Sequence, residues 1–331
     1  MEAIVERPVE RILVIGANGQ IGSELVEALV AKHGGRNVIA ADIAPHSVAG
    51  AERYEVLDVL DANRLTQLIA NNDVTQVYHL AALLSVTGEQ APLKAWNLNM
   101  GGLLNILEIA RERTQAGKPL RVFWPSSIAA FGPHTPAVDT PQTTVMDPTT
   151  IYGISKQSGE RLCEYYFNKY GVDVRSIRYP GIISYKSPPG GGTTDYAIAI
   201  FHAACASQTY HCYLGPDSTL PMIYMPDAIA ATIQLMEAAS ECVRVRSSYN
   251  VAGISFSPRE LAAEIRAQRP DFRIEYRPDQ RQAIADSWPQ SLDDSEARTD
   301  WGWHPIISLH ELVADMLLNV GKMVVKPAEA A

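Results

Sequence analysis

A doubly wound α/β fold, built on a parallel sheet, is what this chain predicts, on three observations. Residues 11–15 end in Ile-Leu-Val-Ile, an uninterrupted and largely β-branched run of the kind a strand buried on both faces needs. Gly16-Ala-Asn-Gly19-Gln-Ile-Gly22 follows directly, and residues 23–32 then carry apolar side chains at helical spacing. Further short apolar runs alternate with helical patterns down the chain, the order a Rossmann sheet requires.

Each element of the first half can be justified in turn. Strand, glycine turn and helix together make a dinucleotide site: the glycines permit a tight turn and close backbone approach, and the helix N-terminus faces the pyrophosphate. The spacing is G-x-x-G-x-x-G. A second strand, 37–41, ends at Asp42, about 20 residues beyond the glycine loop. A carboxylate there accepts from both ribose hydroxyls and repels a 2′-phosphate, which favours NAD over NADP; the plainer alternative is a turn residue or cap. Residues 54–59 form a third short strand ending at Asp58-Val59, where the acid can accept from the adenine amine. A helical stretch at 65–69 leads to a fourth strand, 76–80, with the small residues Ala81 and Ala82 after it. His79 lies inside that apolar run and reads as a core histidine before it reads as a ligand or base. Residues 96–110 open an amphipathic helix that contains Asn99. A strand at 120–124 runs into Pro125-Ser126-Ser127.

Tyr152-Gly-Ile-Ser-Lys156 stands before a helix expected at 157–170. Tyr and Lys at i and i+4 share a helix face. A phenol ionises near pH ~10, a cation one turn away lowers that value, and such a phenol can take a proton from a substrate hydroxyl. A hydroxyl at Ser127 would hold the substrate oxygen beside it. Ser126 offers a second such hydroxyl, and both serines could simply cap the strand end. After a strand from Val174 to Arg178 comes a Pro/Gly-rich loop, 181–196, with paired hydroxyls at Thr193 and Thr194, many backbone amides and Lys186 as its cation. That chemistry suits a small carboxylate or zwitterion, and a loop so long and glycine-rich reads as a lid. Asp227 is expected to cap a helix. Ser257-Pro-Arg-Glu260 is a capping box with Pro at the first helical position. Residues 272–276 alternate like a strand, and 309–318 form a closing amphipathic helix.

The bulk properties exclude several classes. With 331 residues, 47% of them hydrophobic, the chain can bury a sizeable core as one large domain with an appendage or as two domains. A net charge of -9 without a basic stripe argues against a nucleic-acid partner. Cys163, Cys205, Cys212 and Cys242 show no C-x-x-C or zinc spacing, so free thiols in a reducing cytosol are expected and no metal. The charged N-terminal ten residues lack a signal-peptide core, the Ala-rich last residues are expected to fray, and no apolar run is long enough to span a bilayer; a cytoplasmic protein without a membrane partner is the expectation.

Taken together, Gly16/Gly19/Gly22, Asp42, Asp58, His79-Leu-Ala-Ala82, Asn99 and Tyr152/Lys156 resemble the extended short-chain dehydrogenase/reductase superfamily over nearly the whole chain. The resemblance implies an NAD-binding Rossmann domain over 1–180, to which segments near 215–253 return. It implies a smaller α/β C-terminal substrate domain and lid over 181–331. It implies a catalytic Ser127, Tyr152 and Lys156. NAD would be held by Gly16, Asn18, Gly19, Gln20, Ile21 and Gly22, by Asp42, Asp58 and Val59, by Leu80, Ala81, Ala82 and Asn99, and by Tyr152, Lys156, Tyr179 and Ile182. Asn99 is equally open to a structural role. Helices 99–110 and 157–170 are those this superfamily pairs in a homodimer or a dimer of dimers.

Within the superfamily, the Asn-x-Tyr-Gly-Pro motif of the sugar-nucleotide members is absent. The run from Tyr179 to Tyr196, with Ala285-Asp-Ser-Trp288 and Asp300-Trp-Gly-Trp303, is similar to the short-chain type of L-threonine 3-dehydrogenases. That likeness implies metal-free oxidation of the L-threonine β-hydroxyl to L-2-amino-3-oxobutanoate, with Ser85, Ser127, Tyr152, Thr193 and Thr194 contacting substrate. Asp195 and Trp288 are weaker candidates; Trp288 either shuts the pocket against water or anchors the C-terminal domain. The competing expectations are a sugar-nucleotide epimerase or dehydratase that recycles its NAD, and a non-catalytic NAD-sensing module.

Overall fold

The computed structural model describes residues 10–47, 50–190 and 192–325, so the charged N-terminus, the Ala-rich tail and Gly191 of the glycine-rich loop lie outside the described residues. The chain divides into two compact units that interleave along the sequence. One runs to Ala82 and adds Asn97–Trp124 and Leu162–Arg175; the other comprises Leu83–Trp96, Pro125–Arg161 and the chain from Ser176 onward.

The first unit is the doubly wound part. Its six-stranded sheet is parallel throughout, in the spatial order Tyr54–Val56, Val38–Asp42, Ile12–Ile15, Gln76–His79, Arg121–Phe123, Val174–Arg175. Strand order reverses on either side of Ile12–Ile15, and that switch point is where such sheets bind ligands. The glycine loop leaves the sheet there. Ile12–Ile15 is fully buried and Val38–Asp42 is buried up to its terminal acid, as their apolar runs require. Leu13, Ile15, Ile39, Val77, Leu103, Ile106 and Leu107 share one core, and His79 is buried beside it, the core histidine expected.

The second unit holds smaller sheets. One joins Ser126–Ser127, Ile177–Tyr179 and Tyr249–Asn250 in parallel, with Ser126 opposite Arg178 and Ser127 opposite Tyr179. Another joins Ile254–Phe256, Leu220–Tyr224 and Gly181–Ile183. Helices Tyr196–Cys205, Pro258–Gln268 and Leu309–Val325 bury Ile198, Phe201, Leu261, Ile265, Leu312 and Met316 in a second core. The capping box is formed as read: Ser257 accepts from Glu260 N, and Glu260 accepts from Ser257 N at 2.8 Å.

Three expectations are corrected. The helix bearing Tyr152 begins at Ile151, not 157, so Tyr152 and Lys156 lie within it. Its start is set by Thr150, whose hydroxyl accepts from Gly153 N at 3.0 Å, a capping bond that the polar Thr149-Thr150 pair disguises as loop. The Asn99 helix begins earlier too, spanning Pro92–Gln115. Asp227 does not cap its helix, whose cap is Tyr224. It accepts instead from the backbone N–H groups of Ile306 and Ile307, pinning a distant segment.

Burial pushes the phenols of Tyr179, Tyr196, Tyr210 and Tyr249 above their ordinary value of about 10. The unfolded chain sheds these protons near that pH while the folded chain keeps them. Stability is therefore full below about pH 10 and falls as pH rises beyond it. A urea midpoint that drops on crossing about pH 10 is the expected result; a flat one would contradict the burial of these phenols.

Candidate active site

In the first unit the glycine loop is built for a close-fitting ligand. Gly16 has φ +82°, and a Cβ there would lie 2.7 Å from Ala81 N, so the turn can pass the end of the fourth strand only with glycine at that position. A Cβ on Gly22 would lie 2.1 Å from Gly16 O, so the helix can approach the turn only with glycine at that position. The helix starts at Gln20, three residues earlier than expected, with Gly19 as its cap. No side chain caps it and no acidic residue occupies its first turn, which leaves its N-terminal amides available to an anion. Asn18, Gln20 and Ile21 line the turn half-buried.

Asp42 ends the second strand with its carboxylate fixed: Oδ2 accepts from Asn18 N at 3.0 Å and Oδ1 from Ala44 N at 3.2 Å. Asn18 Nδ2 donates to His46 O and to Tyr54 Oη, and Tyr54 donates to Ala44 O, so one tyrosine braces the loop around the acid. Asp58 accepts from Leu60 N and closes a turn. Val59 is buried in the core, its carbonyl accepting from Asn105. Leu80, Ala81 and Ala82 are half-buried at the strand end, and Asn99 is buried. The residues of this unit fit a dinucleotide on their own geometry: a cradle that a Cβ would fill, an uncapped helix end and an oriented carboxylate.

The second unit brings Ser127, Tyr152 and Lys156 together. Ser127 is half-buried at the end of its strand and hydrogen-bonded to the Tyr152 hydroxyl; its own oxygen also accepts from Ala129 N at 3.2 Å. Ser126 is turned inward and donates to Glu160 at 2.6 Å. The helix reaches the serine turn because position 153 is glycine: a Cβ there would lie 2.1 Å from Ala129 O. Glu89 accepts from Ile151 N at 2.8 Å, an acid placed at the helix N-terminus, and ties the short helix Ser85–Gln90 to it. Ser85 is buried at the head of that short helix.

Lys156 is buried. Its ammonium donates to Pro125 O at 2.6 Å and stands 5.5 Å from the centroid of the Tyr152 ring. The expected lowering of the phenol does not hold in the protein alone. Burial pushes Tyr152 up to about 12, and the hydrogen bond from Ser127 pulls it only partly back. Tyr152 keeps some solvent exposure at its surface, so the phenol is desolvated without being sealed in.

The remaining expected residues are spread through this unit. Tyr179 is buried with its hydroxyl paired to Thr232, and Ile182 is half-buried opposite Ile223. Thr193–Asp195 forms a tight turn in which Asp195 accepts from Gly192 N at 2.8 Å, and Tyr213 donates to Gly192 O at 3.0 Å. Thr193 is 1% exposed and its hydroxyl has no hydrogen-bond partner among the described residues; Thr194 packs on Gly181. Trp288 is half-buried against both the helical core and the small cluster of Ile128, Phe131 and Leu292. Glu160 belongs to no motif singled out in the sequence, although it repeats the four-residue step that joins Tyr152 to Lys156.

A glycine turn shaped for a close-fitting anion and a Ser-Tyr-Lys group are features expected of a dinucleotide-linked class, and residues 12–252 match the NAD dependent epimerase/dehydratase family, to which this chain belongs. The chain is 47% identical over 312 residues to an uncharacterized epimerase/dehydratase of Staphylococcus haemolyticus, covering 93% of this chain and 96% of the relative. Among solved structures it is similar to the holo form of a GalE-like L-threonine dehydrogenase from Cupriavidus necator, at 58% identity and TM-score 0.91, covering 94% of this chain and 99% of that one. An L-threonine dehydrogenase from Clostridium difficile aligns at 45% identity and TM-score 0.92, covering 96% and 99%. A nicotinamide cofactor goes with this family, and no helix among the described residues is long and apolar enough to cross a membrane.

Proposed function

We propose that the protein is an NAD-dependent L-threonine 3-dehydrogenase that oxidises the β-hydroxyl of L-threonine to L-2-amino-3-oxobutanoate without a metal. The observation that carries this reading is the half-buried Tyr152, hydrogen-bonded to Ser127, with Lys156 one helical turn on. Solved relatives at 58% and 45% identity are L-threonine dehydrogenases, and they point to the substrate.

Tyr152 takes the proton from the β-hydroxyl, and Ser127 holds the same oxygen. Lys156 supplies the positive charge that draws the phenol down from about 12 once its ammonium turns from Pro125 O toward the site. A bound nicotinamide cofactor would supply the hydride acceptor, C4 of its ring. Thr193, whose buried hydroxyl has no partner among the described residues, binds the substrate carboxylate or amine with Thr194 and Ser85. Asp195 holds the turn that presents them, and Trp288 lies against the same part of the molecule. NAD would be held by Gly16, Asn18, Gly19, Gln20, Ile21 and Gly22, with Asp42 accepting from the ribose hydroxyls and the residues after the third and fourth strands lining the rest. A homodimer through 99–110 and 157–170 is supported by Leu104 and Tyr165, which stand exposed on those helices.

The test is NADH formation by the purified protein with L-threonine, L-allo-threonine, L-serine and 3-hydroxybutyrate. L-threonine is expected to give the largest kcat/KM; no NADH with L-threonine sinks the reading. For the cofactor, Asp42→Ser removes the carboxylate that repels a 2′-phosphate. The ratio of kcat/KM for NAD over NADP is expected to fall by a factor of about 10 or more. An unchanged ratio would take the discrimination away from Asp42.

A further inference from the structure

Beneath Ser127 lies a buried charged assembly that the reaction, as read above, does not use. The side chains of Glu160 and Arg178 are 0% and 2% exposed and bonded at 2.8 Å. Glu160 Oε1 accepts from Arg178 Nε at 2.9 Å and from Ser126 Oγ at 2.6 Å, while Oε2 accepts from Arg178 Nη2. Arg178 Nη1 donates onward to Gln142 O and to Asn250 Oδ1, both at 2.9 Å. The guanidinium lies over the Phe131 ring, 5.0 Å from its centroid.

Stability does not account for such a pair. A buried ion pair is commonly matched or bettered by apolar residues of the same volume, because desolvating both charges offsets their attraction. What a two-pronged guanidinium–carboxylate contact supplies is fixed orientation. The elements it fixes are the ones that matter here. Tyr152, Lys156 and Glu160 step along one helix face at four-residue intervals. Arg178 stands opposite Ser126 in the parallel strand pair, and Ser126 precedes the serine that bonds Tyr152. Glu160 therefore ties helix to strand at Ser126, one residue from the Ser127–Tyr152 bond.

We propose that Glu160 and Arg178 are a positioning pair that, through Ser126, sets the placement of Ser127 against the Tyr152 hydroxyl. This rests on the dehydrogenase reading for its kinetic consequence only. The geometric consequence stands without a substrate.

The test uses Ser126→Ala, which removes one bond and leaves the ion pair intact, with Ser126→Thr as the conservative variant and Glu160→Gln as the uncharged isostere. Two quantities are read. The first is the ¹⁹F resonance of Tyr152 in protein labelled with 3-fluorotyrosine, assigned by its loss in Tyr152→Phe. The second is the split between kcat and KM for L-threonine. Ser126→Ala is expected to shift the Tyr152 resonance and lower kcat about tenfold or more, the loss of one hydrogen bond to a charged group, with KM little changed. Ser126→Thr restores both, and Glu160→Gln, if it folds, moves both in the same direction as Ser126→Ala. An unmoved resonance in Ser126→Ala overturns the proposal, as does a kcat loss that Ser126→Thr fails to restore. If the unmodified protein does not oxidise L-threonine, the dehydrogenase reading fails and the fluorine resonance alone decides this one.

Discussion

Tyr152→Phe is expected to lower kcat about a thousandfold, within the range that positioned proton transfer contributes, while nicotinamide binding survives. The substitution deletes one oxygen and keeps the ring, so the helix face and its packing remain. The glycine turn and Asp42 belong to the other unit and have no part in the change. What disappears is the hydrogen bond to Ser127 and the group that takes the proton. Initial rates with L-threonine, paired with a titration of NAD by fluorescence, check both halves. Retained turnover would remove Tyr152 from the mechanism. Loss of cofactor binding with loss of fold would mean that the hydroxyl is structural.

Gly153→Ala sets helix propensity against packing, and packing should win. Alanine is the better helix former by about 1 kcal/mol. Yet an ideal Cβ at this position would sit 2.1 Å from Ala129 O and 2.8 Å from Pro148 Cβ. Ala129 is backbone in the turn that follows Ser127, so relief has to come from the helix or the turn moving. A shift of about 1 Å between reacting groups can cost on the order of a hundredfold in rate. kcat is therefore expected to fall about a hundredfold, with stability lower by about 1–3 kcal/mol from overpacking. A variant as active as the parent, with a raised urea midpoint, would show that the close approach at Gly153 is not needed.

The parts of the fold that could be read from the sequence are those where local signals carry the information. The strand Ile12–Ile15 and its glycine turn were legible because a buried parallel strand and a tight turn each need particular residue types at fixed spacing. The Ser257 capping box was legible because all its partners lie within one turn. What escaped depends on distant partners. The start of the Tyr152 helix was hidden because Gly153 and the polar pair before it look like loop, and their reason is the close carbonyl of Ala129. Asp227 has the sequence pattern of a cap, yet its acceptors serve Ile306 and Ile307, 79 and 80 residues away. Glu160 and Arg178 look like surface charges until each is seen to be the other's buried partner.

The candidate site divides the same way. Tyr152 and Lys156 were identifiable by spacing and the two serines by family resemblance, and the structure separates the serines by burial: Ser126 faces Glu160 and Ser127 faces Tyr152. The acidity of Tyr152 was not legible. One helical turn between phenol and ammonium predicts a lowered value, but the cost of burying the phenolate exceeds what a cation 5.5 Å from the ring and occupied by Pro125 O can supply.

The central claim is that hydride leaves the β-carbon of L-threonine for a cofactor that is released reduced. L-threonine deuterated at its β-carbon tests it most directly, with the purified protein, NAD and mass analysis of the nicotinamide product. The account predicts NADH carrying one deuterium at C4, a slowed initial rate, and L-2-amino-3-oxobutanoate that has lost the label. Label retained in the amino acid, or a cofactor that is never released in reduced form, would contradict it.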